Sequence, residues 1–162
     1  MKKLYLILLS SLIMFSCDNE KKEMMAEFNA ITEKNDSISK VHNSFENTLE
    51  DMTATYDRLF EAYKDKNVQD STILINFEEQ AKLLERHDAI VKSHAKIIEA
   101  HKNAEPDFET LDTNALNEKI DEMKKWHEQM KNDHETLKEE HERLEKHFVV
   151  LKDRINNLEA KN

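Results

Sequence analysis

The 162-residue chain has no glycine, a single proline and a single cysteine. Glycine normally fills tight turns and left-handed backbone positions. A chain without it must be built from elements that rarely turn, which points to long helices. Pro106 permits one clear break. A lone cysteine, Cys17, excludes an internal disulfide and any Cys-x-x-Cys metal or redox motif. The absence of glycine rules out a glycine-rich phosphate loop. No Ser, His and Asp order suggests nucleophilic catalysis. Basic residues are outnumbered, 24 against 34 acidic, for a net charge of −10. That balance argues against nucleic acid as a partner, since its recognition needs a basic surface.

What is present is charge, at 36% of residues, with aromatics at only 7%. Together with abundant Glu, Lys, Leu and His, this is coiled-coil composition. The acidic excess reads most simply as a solvated helix surface.

The first 17 residues read "MKKLYLILLSSLIMFSC". Lys2 and Lys3 precede an apolar run from Leu4 to Phe15, and the chain turns polar after Cys17 with "DNEKKE". The run is too short and wrongly flanked for a spanning helix. The segment resembles the bacterial lipoprotein signal peptide, whose lipobox ends in a small residue and a cysteine, here Ile13-Met14-Phe15-Ser16-Cys17. The resemblance covers these residues alone. It implies cleavage before Cys17, acyl chains such as palmitate on that cysteine, and a body tethered to a membrane of the bacterial cell envelope, facing the periplasm or the exterior. Several acyl chains at about 0.8 kcal/mol per buried CH₂ would make the attachment permanent. The expected division is a signal peptide over 1–16, a charged tether over 17–23 and a helical body over 24–162.

Within the body, heptads are continuous. From Met24 to Tyr63 the apolar and polar seam residues alternate in steps of three and four, with Phe28, Asn35, His42, Leu49, Tyr56 and Tyr63 at a. "KDKNVQDS" interrupts the pattern, and Asp70 or Ser71 can cap a second helix. That helix places His87, His94 and His101 at d, and apolar Leu83, Ile90 and Ile97 at g. So wide a stripe suits a helix with two neighbours. After "AEPDFETLDT", Asp112 or Thr113 can cap a third helix with His127, His134 and His141 at a. The helices are expected over about 24–66, 72–104 and 113–160. The fold class is all-α, an elongated antiparallel three-helix bundle or coiled coil, with outer helices roughly 70 Å long. A homo-oligomer of open helices is the rival arrangement.

Antiparallel seams pair a with d. A turn near Val68 sets Phe45 against Val91, Met52 against Leu84 and Leu59 against Phe77, all apolar. It also sets His42 against His94 and Asn35 against His101. The third helix fits in two registers one heptad apart. The preferred one gives the layers Asn35/His101/His127, His42/His94/His134 and Leu49/His87/His141. The other makes the middle layer His42/His94/His127. In both, one layer is three histidines.

Neutral imidazoles in such layers can hydrogen-bond one another and pin register. They could also converge on zinc or copper, with His42, His94 and His134 or His127 as ligands. Histidines seven apart on one helix are about 10 Å apart and cannot chelate together. The apolar flanking layers are expected to offer no partner to the outer ring nitrogens, which weighs against a metal. Phe148, Val149 and Val150 form a candidate partner patch. His147 is expected to be exposed, and the lysines at e in the third helix to pair with acidic neighbours.

These readings lead to a lipid-anchored, non-enzymatic coiled-coil envelope protein acting as a spacer or interaction module. Its partners would be the membrane, through the anchor, and another protein. An envelope metal-binding protein using the layered histidines is the first alternative, and a periplasmic holdase-type chaperone the second.

Overall fold

The computed structural model describes residues 2–104 and 110–158, with side chains from residue 19 onward. Three helices account for nearly all of them: α1, Lys2–Lys64; α2, Ser71–Asn103; and α3, Thr113–Asn157. There is no strand among the described residues. The helices pack against one another, so the fold is all-α and a three-helix bundle. Pro106 lies outside the described residues.

α1 begins well before the Met24 expected from the heptads, and it ends at Lys64 rather than near residue 66. The stretch expected to be a tether, 17–23, is helical: it ends in "EKKE", all strong helix formers, and holds no proline or glycine to break the helix. The expected anchor at Cys17 falls where side chains lie outside the described residues. No helix among the described residues is long and apolar enough to cross a membrane.

The turn between α1 and α2 solves the absence of glycine with asparagine. Asn67 takes the left-handed conformation, φ 53°, which Asn tolerates better than most residues. Its N–H donates to the Lys64 carbonyl at 3.2 Å, and Lys66 N–H to that of Tyr63 at 3.1 Å. Asp70 then caps α2: its Oδ1 accepts from the N–H groups of Thr72 (2.9 Å) and Ile73 (3.2 Å). The Tyr63 hydroxyl accepts from Asp70 N–H at 2.8 Å, which fastens the end of α1 to the start of α2. Asp112 caps α3 through Ala115 N–H at 2.9 Å. Of each pair of expected caps, the aspartate serves because its carboxylate satisfies N–H groups with no carbonyl partner inside the helix.

The chain forms two compact units, residues 1–38 with 97–129 and residues 39–96 with 130–162. Each takes a piece of all three helices. The first unit is centred on Phe28, Ile31, Leu116, Ile120 and Met123. The second has one cluster around Leu49, Met52, Leu84, Val91, Leu137, Leu144 and Phe148, and another around Tyr63, Ile73, Phe77, Leu151 and Ile155. All of them fall at a or d of the heptads of their helix. Burial of such side chains at about 25 cal/mol per Å² is what drives the helices together.

Candidate functional site: the histidine layers

Seven of the eight histidines are buried, and each occupies an a or d position. His147, the eighth, is exposed. The hydrogen bonds and ring contacts settle the register in each unit separately. In the first unit His101 faces His127, with 3.2 Å between Nδ1 and Nε2. In the second, His94 faces His134 at 3.3 Å, and the His87 and His141 rings lie 5.0 Å apart. Residue numbers fall on α2 as they rise on α3, so these pieces run antiparallel. This is the preferred register. His134, and not His127, therefore completes the three-histidine layer.

In that layer each residue comes from a different helix: His42 from α1, His94 from α2 and His134 from α3. One nitrogen from each ring lies within 4.8 Å of the other two. The ring centroids are 6.1 Å apart for His42 and His94, 6.1 Å for His42 and His134, and 5.1 Å for His94 and His134. Phe45 stacks on His134 at 4.9 Å and seals that side.

The hydrogen-bond inventory of the layer is incomplete. His94 Nε2–H donates to Asp133 Oδ2 at 3.0 Å, which leaves Nδ1 as a lone pair facing His134 Nε2. His42 is 3% exposed, and neither of its ring nitrogens has a partner. An imidazole always carries at least one N–H, so both a donor and an acceptor are buried unsatisfied. Such groups are rare and costly. Burial, and then the neighbouring His94, push the His42 pKa down. Burial, then His94 and His42, bring that of His134 to about 4. Both rings are neutral at neutral pH, the state in which imidazole binds a metal.

Asp133 gives an outer ring nitrogen the partner that the apolar flanking layers do not supply. Glu140 does the same one heptad on. It accepts from His87 Nε2–H at 2.6 Å and from Arg86. Burial would raise the Glu140 carboxyl, but the bonds from Arg86 and His87 outweigh it and hold it below its ordinary range. His87 is lowered by burial against the pull of Glu140, so a neutral ring donates to a carboxylate. The signal for both acids is "DH" at 133–134 and "EH" at 140–141. An acid just before a seam residue sits at g and leans onto the adjacent helix, so each serves a histidine of α2 rather than its own neighbour. In the first unit the corresponding residue is Trp126, which is half-buried.

The proposed partner patch is not one surface. Phe148 is buried in the core of the second unit, whereas Val149 and Val150 are 62% and 58% exposed. Position a points Phe148 inward, and the next two residues rotate outward by helical geometry. Of the lysines at e, Lys124 pairs with Glu27 at 2.7 Å.

A groove on the second unit runs along α1 and α2. Leu49, Leu84 and Val91 lie at its base, and Glu46, Glu50, Asp57, Glu85 and Asp88 on its rim with one basic residue, Lys92. Comparison with protein-family models, with curated proteins and with solved structures finds no match for the chain.

Proposed function

We propose that the protein is a lipid-anchored, non-enzymatic helical module of a bacterial envelope. Cys17 fixes it to a membrane, and the bundle carries an interaction surface for another protein. The sequence from Lys2 to Cys17 supports the anchor. The observation that carries the interaction reading is the acid-rimmed groove of the second unit. Five carboxylates and one ammonium surround an apolar base there, a charge pattern complementary to a basic segment with apolar anchors. Such complementarity steers association and selects the partner more than it adds affinity.

The test has two parts. Labelling cells with an alkyne fatty acid should mark the wild-type chain and not Cys17→Ser. A photo-cross-linking residue at Thr53, on the groove, should capture a basic protein in intact envelopes, and 0.5 M salt should diminish that capture. One at Lys146, away from the groove, should not capture it. Acylation that persists in Cys17→Ser removes the anchor. Equal capture from both positions removes the groove.

A further inference from the structure

We infer that His42, His94 and His134 form a binding site for one borderline transition-metal ion, zinc or copper, that ties the three helices of the second unit together. This is independent of the anchor and of the groove.

The argument starts from the unpartnered ring. A histidine placed in a core only to set register should close its hydrogen bonds with its neighbours. His42 closes none, although two other imidazoles lie beside it. A buried lone pair with no donor to meet it is unfavourable, and a cation among the three rings would satisfy the one on His42. The distances fit such a cation. Two nitrogens bound to one tetrahedral zinc at about 2.0–2.1 Å lie about 3.3 Å apart, and His94 Nδ1 and His134 Nε2 are 3.3 Å apart. With all three donor atoms inside 4.8 Å of one another, His42 needs only a small side-chain movement to reach the same centre.

Asp133 supplies the support that metal-binding histidines usually have. By accepting from His94 Nε2–H at 3.0 Å it fixes the tautomer that turns the Nδ1 lone pair inward. It also brings negative charge beside the cation. Without metal, His134 Nε2–H donates to His94 Nδ1. On binding, that hydrogen moves to His134 Nδ1 and the ion takes its place between the rings. His42 coordinates through whichever nitrogen carries no hydrogen. Three neutral ligands come from three separate helices, so no ion can be held until the bundle has folded.

The donor set defines the class of ion. Imidazole nitrogens suit zinc and copper; they do not suit calcium or magnesium, which take oxygen ligands. The other layers offer no third imidazole. Asn35 stands opposite His101 and His127, and Leu49 occupies the α1 position of the layer with His87 and His141.

The test uses the full, tag-free chain in mild detergent, stripped with chelator. It is titrated separately with Zn²⁺, with Cu⁺ under reductant, and with Ca²⁺ and Mg²⁺. Zn²⁺ or Cu⁺ should bind at one ion per chain and raise Tm, while Ca²⁺ and Mg²⁺ do neither. His42→Leu should weaken binding by at least 100-fold, and Asp133→Asn by about 10- to 100-fold. His147→Ala, which alters an exposed histidine, should bind like wild type. Circular dichroism checks that the variants fold, and if His42→Leu does not, Asp133→Asn decides. Failure of the wild type to bind either ion overturns the site. So does undiminished affinity in a folded His42→Leu or in Asp133→Asn, or a His147→Ala loss as large as theirs.

Discussion

Asn35/His101/His127 in the first unit and His42/His94/His134 in the second are built from the same three helices, seven residues apart along each. They differ most at the α1 position, asparagine in one and histidine in the other. The asparagine carries a donor and an acceptor together. Its Nδ2 donates to the Ile98 carbonyl at 3.3 Å, and its Oδ1 lies 3.3 Å from His127 Nε2, which also faces His101 at 3.2 Å. Each side chain of that layer is bonded to another group, and one buried ring nitrogen, His127 Nδ1, has no partner. The His42 ring reaches nothing with either nitrogen. A polar layer that only fixes register can be satisfied by amide chemistry. A layer that keeps a third imidazole in the same position leaves its bonds open for a ligand.

The largest test concerns what the two units share. His127 in the first and His141 in the second are each brought to about 4, chiefly by burial and then by the paired histidine, His101 or His87. Lys34 adds to the effect at His127, and Glu140 opposes it at His141. Both folded values lie below the unfolded value of about 6.5, so the unfolded chain binds more protons as pH falls. Stability is full above about 6.5, is lost as pH falls between there and about 4, and then levels off. The loss is on the order of a few kcal/mol per histidine. The metal-free protein should therefore melt about 10 °C lower at pH 5 than at pH 7.5. Coincident melting curves would mean that these rings titrate freely, and the burial on which both layers rest would be wrong.

The second test separates the layers by sign. Asn35→Leu removes the donor to Ile98 and the acceptor for His127, and it should destabilise the metal-free protein by about 1–3 kcal/mol. His42→Leu removes two unsatisfied buried atoms and breaks no hydrogen bond. It should stabilise the metal-free protein by about 1 kcal/mol or more. Urea denaturation of both variants at pH 7.5 measures the difference. Destabilisation of equal size in both would show that His42 has hydrogen bonds that the layer geometry does not reveal, and the contrast between the layers would vanish.

How far the sequence reaches follows from the same geometry. Heptad phase identifies the buried histidines because seam position depends only on helical period, which side chains cannot evade. Apolar pairing across the first turn and a preference between two heptad registers then bring His94 to His134. Asp133 and Glu140 escape that reasoning because they belong to g. Whether a g side chain folds over the seam or extends into water depends on the neighbouring helix, and a list of a and d residues carries no such information. Phe148 parts from Val149 and Val150 for a related reason: each step along a helix turns the side chain by about 100°. α1 extends ahead of its heptads because they mark where a helix finds a partner, whereas the helix itself continues as long as nothing breaks it.

The smallest effect concerns the helix ends. Asp70 accepts from two N–H groups at the start of α2 and also from the Thr72 hydroxyl, and these bonds lower its carboxyl below the usual range. Asp112 caps α3 through one N–H. Loss of a capping side chain costs about 0.5–2 kcal/mol. Asp70→Ala should fall near the top of that range and Asp112→Ala near the bottom, because one cap satisfies more N–H groups than the other. The difference should also respond to pH. Protonation removes the charge that strengthens the Asp70 bonds, so Asp70→Ala should approach wild-type stability as pH falls through the lowered Asp70 value. Equal losses for the two variants at pH 7.5 would mean that the number of N–H groups served does not set the strength of a cap here. The Tyr63 hydroxyl bonded to Asp70 N–H would then be what holds the start of α2.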